Sequence, residues 1–264
     1  MVYDLGLHEG HDARFYLDKG FRVVALEANP LLCRQARSDF AADIAAGRLH
    51  LVEKALWTGA DASVPFHIRD ESTLWSSIFI EMAERDGSPS RRVEVQTTTL
   101  GNLFNEYGVP YYAKCDLEGA DRIFAEQLIG AERRPEFVSV EFDSLEVPRL
   151  LQQAGYDRFQ IVNQGHLRLW RPPRPPREGD FANVVFHGKM SGLFGLELRP
   201  DFWTDFDGFA RRMEIWNKLP HMNAMARYLL RRWGKATNRG WLIGRGWLDL
   251  HATTQRALRD NQAR

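Results

Sequence analysis

Val2-Tyr3-Asp4-Leu5-Gly6-Leu7-His8-Glu9-Gly10-His11-Asp12 opens the chain, and Val23-Val24-Ala25-Leu26-Glu27-Ala28-Asn29-Pro30 follows soon after. Each stretch begins as a short apolar strand. The first then meets a glycine turn and the second an acid. A strand that turns sharply into a helix leaves backbone N–H groups free at the helix start. Glycine lets a ligand come close to that backbone. A carboxylate at the end of the neighbouring strand can accept both hydroxyls of a ribose. Glu27 lies about 20 residues beyond Gly6, the separation expected of a nucleoside site. The candidate binding residues are therefore Asp4, Gly6, Leu7, His8 and Gly10 on the first stretch, and Glu27, Ala28 and Asn29 on the second.

Two ligand classes use this layout. A dinucleotide site prefers G-x-G-x-x-G, because a pyrophosphate sits on the helix N-terminus. Here three residues separate Gly6 from Gly10, and Asp4 and Glu9 would repel a pyrophosphate. Acids there suit a cationic ligand better. S-adenosylmethionine carries an α-ammonium, a sulfonium and a ribose. A third reading is an α/β turn whose glycines only let the chain bend.

The rest of the chain supports a soluble enzyme-sized domain. Its 264 residues are 44% hydrophobic and 27% charged, enough to bury a sizeable core. Formal net charge is zero, so no global field points to nucleic acid. Cys33 and Cys115 are far apart and lack CxxC partners, so neither a disulfide framework nor a zinc site is expected. No apolar run is long enough to cross a bilayer, and no signal peptide is recognisable. A cytoplasmic location is expected.

Strands are expected at Val2 to Leu5, Arg22 to Leu26 and Leu49 to Lys54, with helices between them. That β-α-β-α-β order favours a parallel sheet. Thr58 to Arg69 reads as a small antiparallel hairpin or edge excursion. Further strands are expected at Arg92 to Thr98, Tyr111 to Asp116 and Phe137 to Phe142, with Phe159 to Asn163 and Ala182 to Phe186 as the last two. The proline-rich run 171–177 must be an extended connector. From about Asp201 the character changes: the tail holds five of the eight tryptophans and twelve Lys/Arg against six Asp/Glu.

Taken together, the motifs resemble the FkbM-type family of S-adenosylmethionine-dependent methyltransferases. The carriers are Asp4-Leu-Gly6-Leu-His-Glu-Gly10, Glu27-Ala-Asn-Pro30, the serine pair Ser76-Ser77, Thr99-Leu100, and Lys114-Cys-Asp116-Leu-Glu118-Gly119-Ala-Asp121, followed by the strand from Val138 to Phe142. The resemblance covers about residues 2 to 190. It departs where the family turn has Ala-Asn and this chain has Leu7-His8, and where Ala28-Asn29 separate Glu27 from its proline. It implies an α/β fold: a Rossmann-like class I methyltransferase sheet of about seven strands, helices on both faces, the last strand antiparallel. Domain 1–190 would be catalytic, and 191–264 a basic, Trp-rich helical and aromatic extension.

The function expected is methyl transfer from S-adenosylmethionine to an oxygen of a small molecule or saccharide. The oxygen preference comes from the resemblance alone. Asp116 ends an apolar strand and is the first candidate for general base or acceptor hydroxyl holder; its other reading is a helix N-cap. Glu118 is the second, with helix-end electrostatics as its other reading. His8 and His11 flank the turn, where a backbone hydrogen bond is the plainer role. Glu141 and Asp143 could join Asp116 in an acidic rim, but no ligand spacing demands a metal and none is expected. Gly240 to His251 is read as a segment folding back over the acceptor, against the plainer reading of a helical cover. Two other classes stay open: a nicotinamide-dependent Rossmann oxidoreductase, and a catalytically silent nucleoside-binding protein that docks partners through its tail.

Overall fold

The computed structural model describes residues 1–70, 72–218, 225, 228–230, 232–233 and 247–262, apart from the side chains of His166 and Gln262. Contacts divide the chain into two units, Met1–Glu136 and Phe137–Arg264.

In the first unit, β1 (Val2–Leu5) is buried along its whole length. It pairs in parallel with β2 (Val23–Leu26) on one side and with a later strand, Tyr112–Cys115, on the other. All three strands are buried at every residue, as strands of a parallel sheet covered on both faces should be, Asp4 and Lys114 included. Helix α1 (His11–Asp18) follows β1, and α2 (Pro30–Asp39) follows β2. Pro30 takes the first helical position of α2, and the Asn29 side chain accepts the Leu31 N–H at 3.0 Å. That pairing of cap and proline is why the helix starts there. A short α3 (Ala41–Ala45) leads to β3 (Leu49–Val52), which extends the sheet beyond β2.

The chain then leaves this sheet. β4 (Ala55–Leu56), β5 (Ser63–Ile68) and β6 (Arg91–Thr98) form a separate three-stranded sheet, with β5 antiparallel to β6. The stretch Thr58 to Arg69, expected as a small hairpin or edge excursion, supplies one strand of it, β5, whose antiparallel partner is the later β6. The core of this sheet is Ala55, Phe66, Ile68 and Val95, with Ala28 and Ile78 packed against them. Between β5 and β6 lie a 3-10 turn at Thr73–Trp75 and α4 (Ile80–Ala83). The chain returns through α5 (Leu100–Tyr107), capped by Thr99. Then come β7 (Tyr112–Cys115) and α6 (Asp121–Ile129). Strand order within the unit is β3-β2-β1-β7. The order reverses at β1, and such a switch point opens a crevice beyond the carboxyl ends of the strands.

The second unit contains β8 (Phe137–Glu141), α7 (Glu146–Gln153), β9 (Arg158–Asn163), α8 (Phe206–Lys218), β10 (Leu248–Thr253) and α9 (Gln255–Gln262). β10 lies between β8 and β9 and is antiparallel to both. Phe206 and Phe209 of α8 pack against Phe159 of β9 at 5.6 and 5.8 Å between ring centroids.

Four strands of the first unit and three of the second make the seven strands of a mixed α/β fold. The antiparallel strand was expected at Ala182 to Phe186, and that expectation is corrected. Those residues are not a strand, and β10, at the far end of the supposed extension, takes the place. Leu248-Asp-Leu-His-Ala-Thr253 alternates apolar and polar residues as a strand with two different faces should.

Candidate functional site

The Gly6 turn is closed by backbone and carboxylate together. Gly6 N–H and Leu7 N–H both donate to the Leu26 carbonyl at 3.0 Å. His8 N–H donates to Glu27 Oε2 and Asn29 N–H to Glu27 Oε1, each at 2.8 Å. One carboxylate therefore ties the end of β2 to the turn after β1. Burial pushes the Glu27 carboxyl up, and the donated N–H groups of Asn29 and His8 work against that rise.

Gly6 has φ +89°, and a Cβ there would lie 1.9 Å from the Asp116 carbonyl oxygen. Only glycine fits, for backbone angle and for space. Asp116 N–H in turn donates to the Leu5 carbonyl at 2.9 Å. His8 also has positive φ (51°), and its ring nitrogen Nε2 lies 2.9 Å from Thr73 Oγ1. Gly10, φ +75°, stands where a side chain would meet the Phe40 ring at 2.5 Å.

Beneath the turn sits a buried charge cluster. Lys114 faces Asp4 across the β1–β7 register. Its ammonium lies 3.1 Å from Asp4, 3.8 Å from Asp12 and 3.8 Å from Asp116, and donates to the Gly6 carbonyl at 2.9 Å. Burial alone would lower the Lys114 pKa, but the three carboxylates outweigh it and hold the ammonium charged. Burial pushes Asp4 up to about 7, against the pull of Lys114.

The turn after β7 is built the same way. Asp121 accepts N–H groups from Leu117 (3.4 Å) and Gly119 (3.2 Å), and burial beside Asp116 pushes its carboxyl up to about 6. Glu118 takes positive φ (47°), and its carboxylate pairs with Arg85 at 3.0 Å. Ser77 Oγ donates to the Glu118 carbonyl at 2.7 Å. Two guanidinium groups lie over the Trp75 ring, Arg69 at 4.8 Å and Arg85 at 4.4 Å from its centroid.

These turns line one cleft in the first unit. Gly6, His8, Glu27 and Ala28 form one wall, and Asp116, Leu117 and Glu118 another. Lys54, Phe66, Thr73, Ser76 and Ile78 complete it. Its empty space, counted out into open solvent, is about 680 Å³.

Gly6, His8, Glu27, Ala28, Asp116 and Glu118 thus come together on the cleft, as does Ser76. Asp4, Leu7, Gly10 and Asn29 are buried and are not on its lining. His11 pairs with Glu9 at the surface. Glu141 and Asp143 belong to the second unit. Residues 240–246 lie outside the described residues, while His251 is buried in β10. Sequence reasoning did not find Phe66 or Thr73, or that Lys114 joins four partners. The periodicity of β5 could have flagged Phe66, whereas the Lys114 cluster depends on register.

The sequence of residues 4–158 matches the model of the methyltransferase FkbM domain. No curated protein matches. Among solved structures, one is methyltransferase FkbM from Methylobacillus flagellatus KT, with TM-score 0.40 and 13% identity over 61% of this chain and 39% of that one. Another is precorrin-6y C5,15-methyltransferase from Geobacter metallireducens GS-15, with TM-score 0.32 and 14% identity over 61% and 65%. A third is a putative sarcosine dimethylglycine methyltransferase from Galdieria sulphuraria, with TM-score 0.37 and 9% identity over 96% and 78%. The chain spans less than two thirds of the length of the first two.

Proposed function

The chain belongs to the FkbM methyltransferase family, and we propose that its cleft binds S-adenosylmethionine and directs the methyl group to a hydroxyl oxygen of a small molecule or saccharide. The observation that carries this reading is Glu27. A buried carboxylate at the carboxyl end of β2 lines the cleft beside a glycine that nothing larger can replace. That arrangement suits a ribose, whose two hydroxyls need one shared acceptor. The apolar wall of Ala28, Phe66 and Ile78 suits the flat face of a nucleobase.

The cofactor would supply an electrophilic methyl group on a sulfonium. The chain's own residues would then orient the acceptor and take its proton. Asp116 is the proposed base. Its side chain is 43% exposed, against 14% for Glu118, and it lines the cleft. Lys114 below it fixes its direction. Glu118, already paired with Arg85, is proposed to position the turn and the Arg85 side chain beside the acceptor. Asp4 supports the proposed site at one remove, holding Lys114 and through it the Gly6 carbonyl.

Calorimetric titration with S-adenosylmethionine and S-adenosylhomocysteine, beside Glu27→Ala, tests the reading. Wild-type binding weakened at least ~30-fold in the variant is expected, since removing acceptors from a desolvated site costs about 2 kcal/mol or more. A wild type that binds neither compound would sink the proposal. Binding of a nicotinamide cofactor instead would favour the oxidoreductase reading.

A further inference from the structure

The second unit carries cations that no carboxylate neutralises. From Arg158 to Arg177 there are five arginines and no Asp or Glu, although the whole chain is neutral. Arg158 pairs with Asp157, as Arg199 does with Asp201 and Arg256 with Asp260. Arg168, Arg171, Arg174 and Arg177 are different. They recur at every third residue, all four are exposed, and among the described residues none has a carboxylate partner.

Three of them are held in place by uncharged groups. Arg171 Nη1 donates to the carbonyls of Arg168 at 2.8 Å and Trp170 at 2.6 Å. Arg177 Nη1 donates to those of Leu196 at 3.2 Å and Leu198 at 3.3 Å. A guanidinium has several further N–H donors, so both keep most of theirs for a ligand. Arg174 lies over the Phe181 ring, 4.0 Å from its centroid. The acids that follow do not cancel the row. Glu178 turns its carboxylate to the Leu196 N–H at 3.0 Å, and Asp180 pairs with none of the four.

We propose that residues 168–177 bind single-stranded nucleic acid through its phosphates. Guanidinium forks match phosphate oxygens two at a time. Cations fixed beforehand lose little freedom on binding, and a phosphodiester strand relieves their mutual repulsion. Phe181 covers one face of the Arg174 guanidinium, and the exposed side can stack an unpaired base. A bilayer would need apolar side chains beside the cations, yet of Leu167, Leu169 and Trp170 only Leu169 is exposed, at 76%. A groove that reads proline-rich segments would need the prolines turned outward, yet Pro172 is buried and Pro173 and Pro176 are half-buried. No residue of the proposed cofactor cleft takes part, so the two readings fail separately.

The test is fluorescence anisotropy of a labelled oligouridylate of about 20 nucleotides titrated with the full chain, at salt from about 50 to 300 mM. Binding is expected, with log K falling against log salt at a slope of about −3 for four phosphate contacts. Arg168→Gln with Arg174→Gln removes two cations that donate no hydrogen bond within the fold among the described residues. That variant should keep the wild-type melting midpoint and bring the slope to about −1.4. Arg174→Lys keeps the charge and should keep the slope, while binding weakens about two- to fivefold from lost stacking. No binding at the lowest salt overturns the proposal. So does a slope that the double variant leaves unchanged. Equal competition by a duplex of the same length, or tighter binding to anionic vesicles or to an acidic polysaccharide, overturns it as well.

Discussion

Gly6 tests how tightly the turn is built. Alanine there would need positive φ and would place a carbon 1.9 Å from the Asp116 carbonyl oxygen. Backbone strain of 1–3 kcal/mol and overpacking of similar size are expected to add. Gly6→Ala should lose about 3 kcal/mol or more in denaturant unfolding, and a variant within 1 kcal/mol of wild type would show the turn to be looser than drawn. Asp116→Asn asks a different question, because its side chain is partly open and its loss should not disturb the fold. On any hydroxyl acceptor the wild type turns over, kcat should fall roughly 10²–10⁴-fold, while cofactor affinity stays within about threefold. Equal losses in both would assign Asp116 to binding and leave the base unassigned. Gly6, Glu27 and Asp116 were legible in the sequence because strand ends can be read from apolar runs. The partnership of Asp4 with Lys114 was not. It depends on the register between two strands far apart in the chain, and no local spacing reports that register.

The turn from Cys115 to Asp121 is an element whose stability should depend on pH. Asp121 rises from an ordinary 3.8 to about 6 in the folded chain. The folded state therefore holds that proton more tightly than the unfolded state. Its contribution is fully present below about pH 4 and is lost as pH rises through 6, by up to about 3 kcal/mol. His251 of β10 acts with the opposite sign. Burial lowers it from 6.5 to about 3, so its contribution is present above pH 6.5 and is lost as pH falls towards 3. Wild-type unfolding curves alone mix the two. The difference between wild type and Asp121→Asn isolates one of them, and it should shift against the wild type between pH 4 and 7. A difference that stays flat across that window would contradict the assignment. At this scale the sequence was legible wherever one element carried its own signals, as Asn29-Pro30 does for α2 and Thr99 for α5. It misled at the last strand. Ala182 to Phe186 was expected there, but Leu248 to Thr253, read as part of the tail, pairs with β8 and β9, and no local signal reports that pairing.

That choice governs what the tail does for the whole molecule. With the tail read as a lid over the acceptor, deleting it would stop turnover and spare cofactor binding. The position of β10 argues otherwise. It is the partner of both β8 and β9, and all six of its residues are buried. A chain ending at residue 246 would leave both strands with unpaired backbone edges and uncover Leu250 and Ala252. Exposed, unpaired edges template aggregation. The truncated protein should therefore be insoluble or lack a cooperative melt, where a lid would leave the melting midpoint unchanged. An internal deletion of residues 222–244, closed by a short flexible linker, separates the strand from the rest of the tail. It keeps β10 and α9, so it should fold and retain cofactor binding. If it folds but no longer turns over acceptor, the segment serves catalysis, and the lid returns in a form that spares β10.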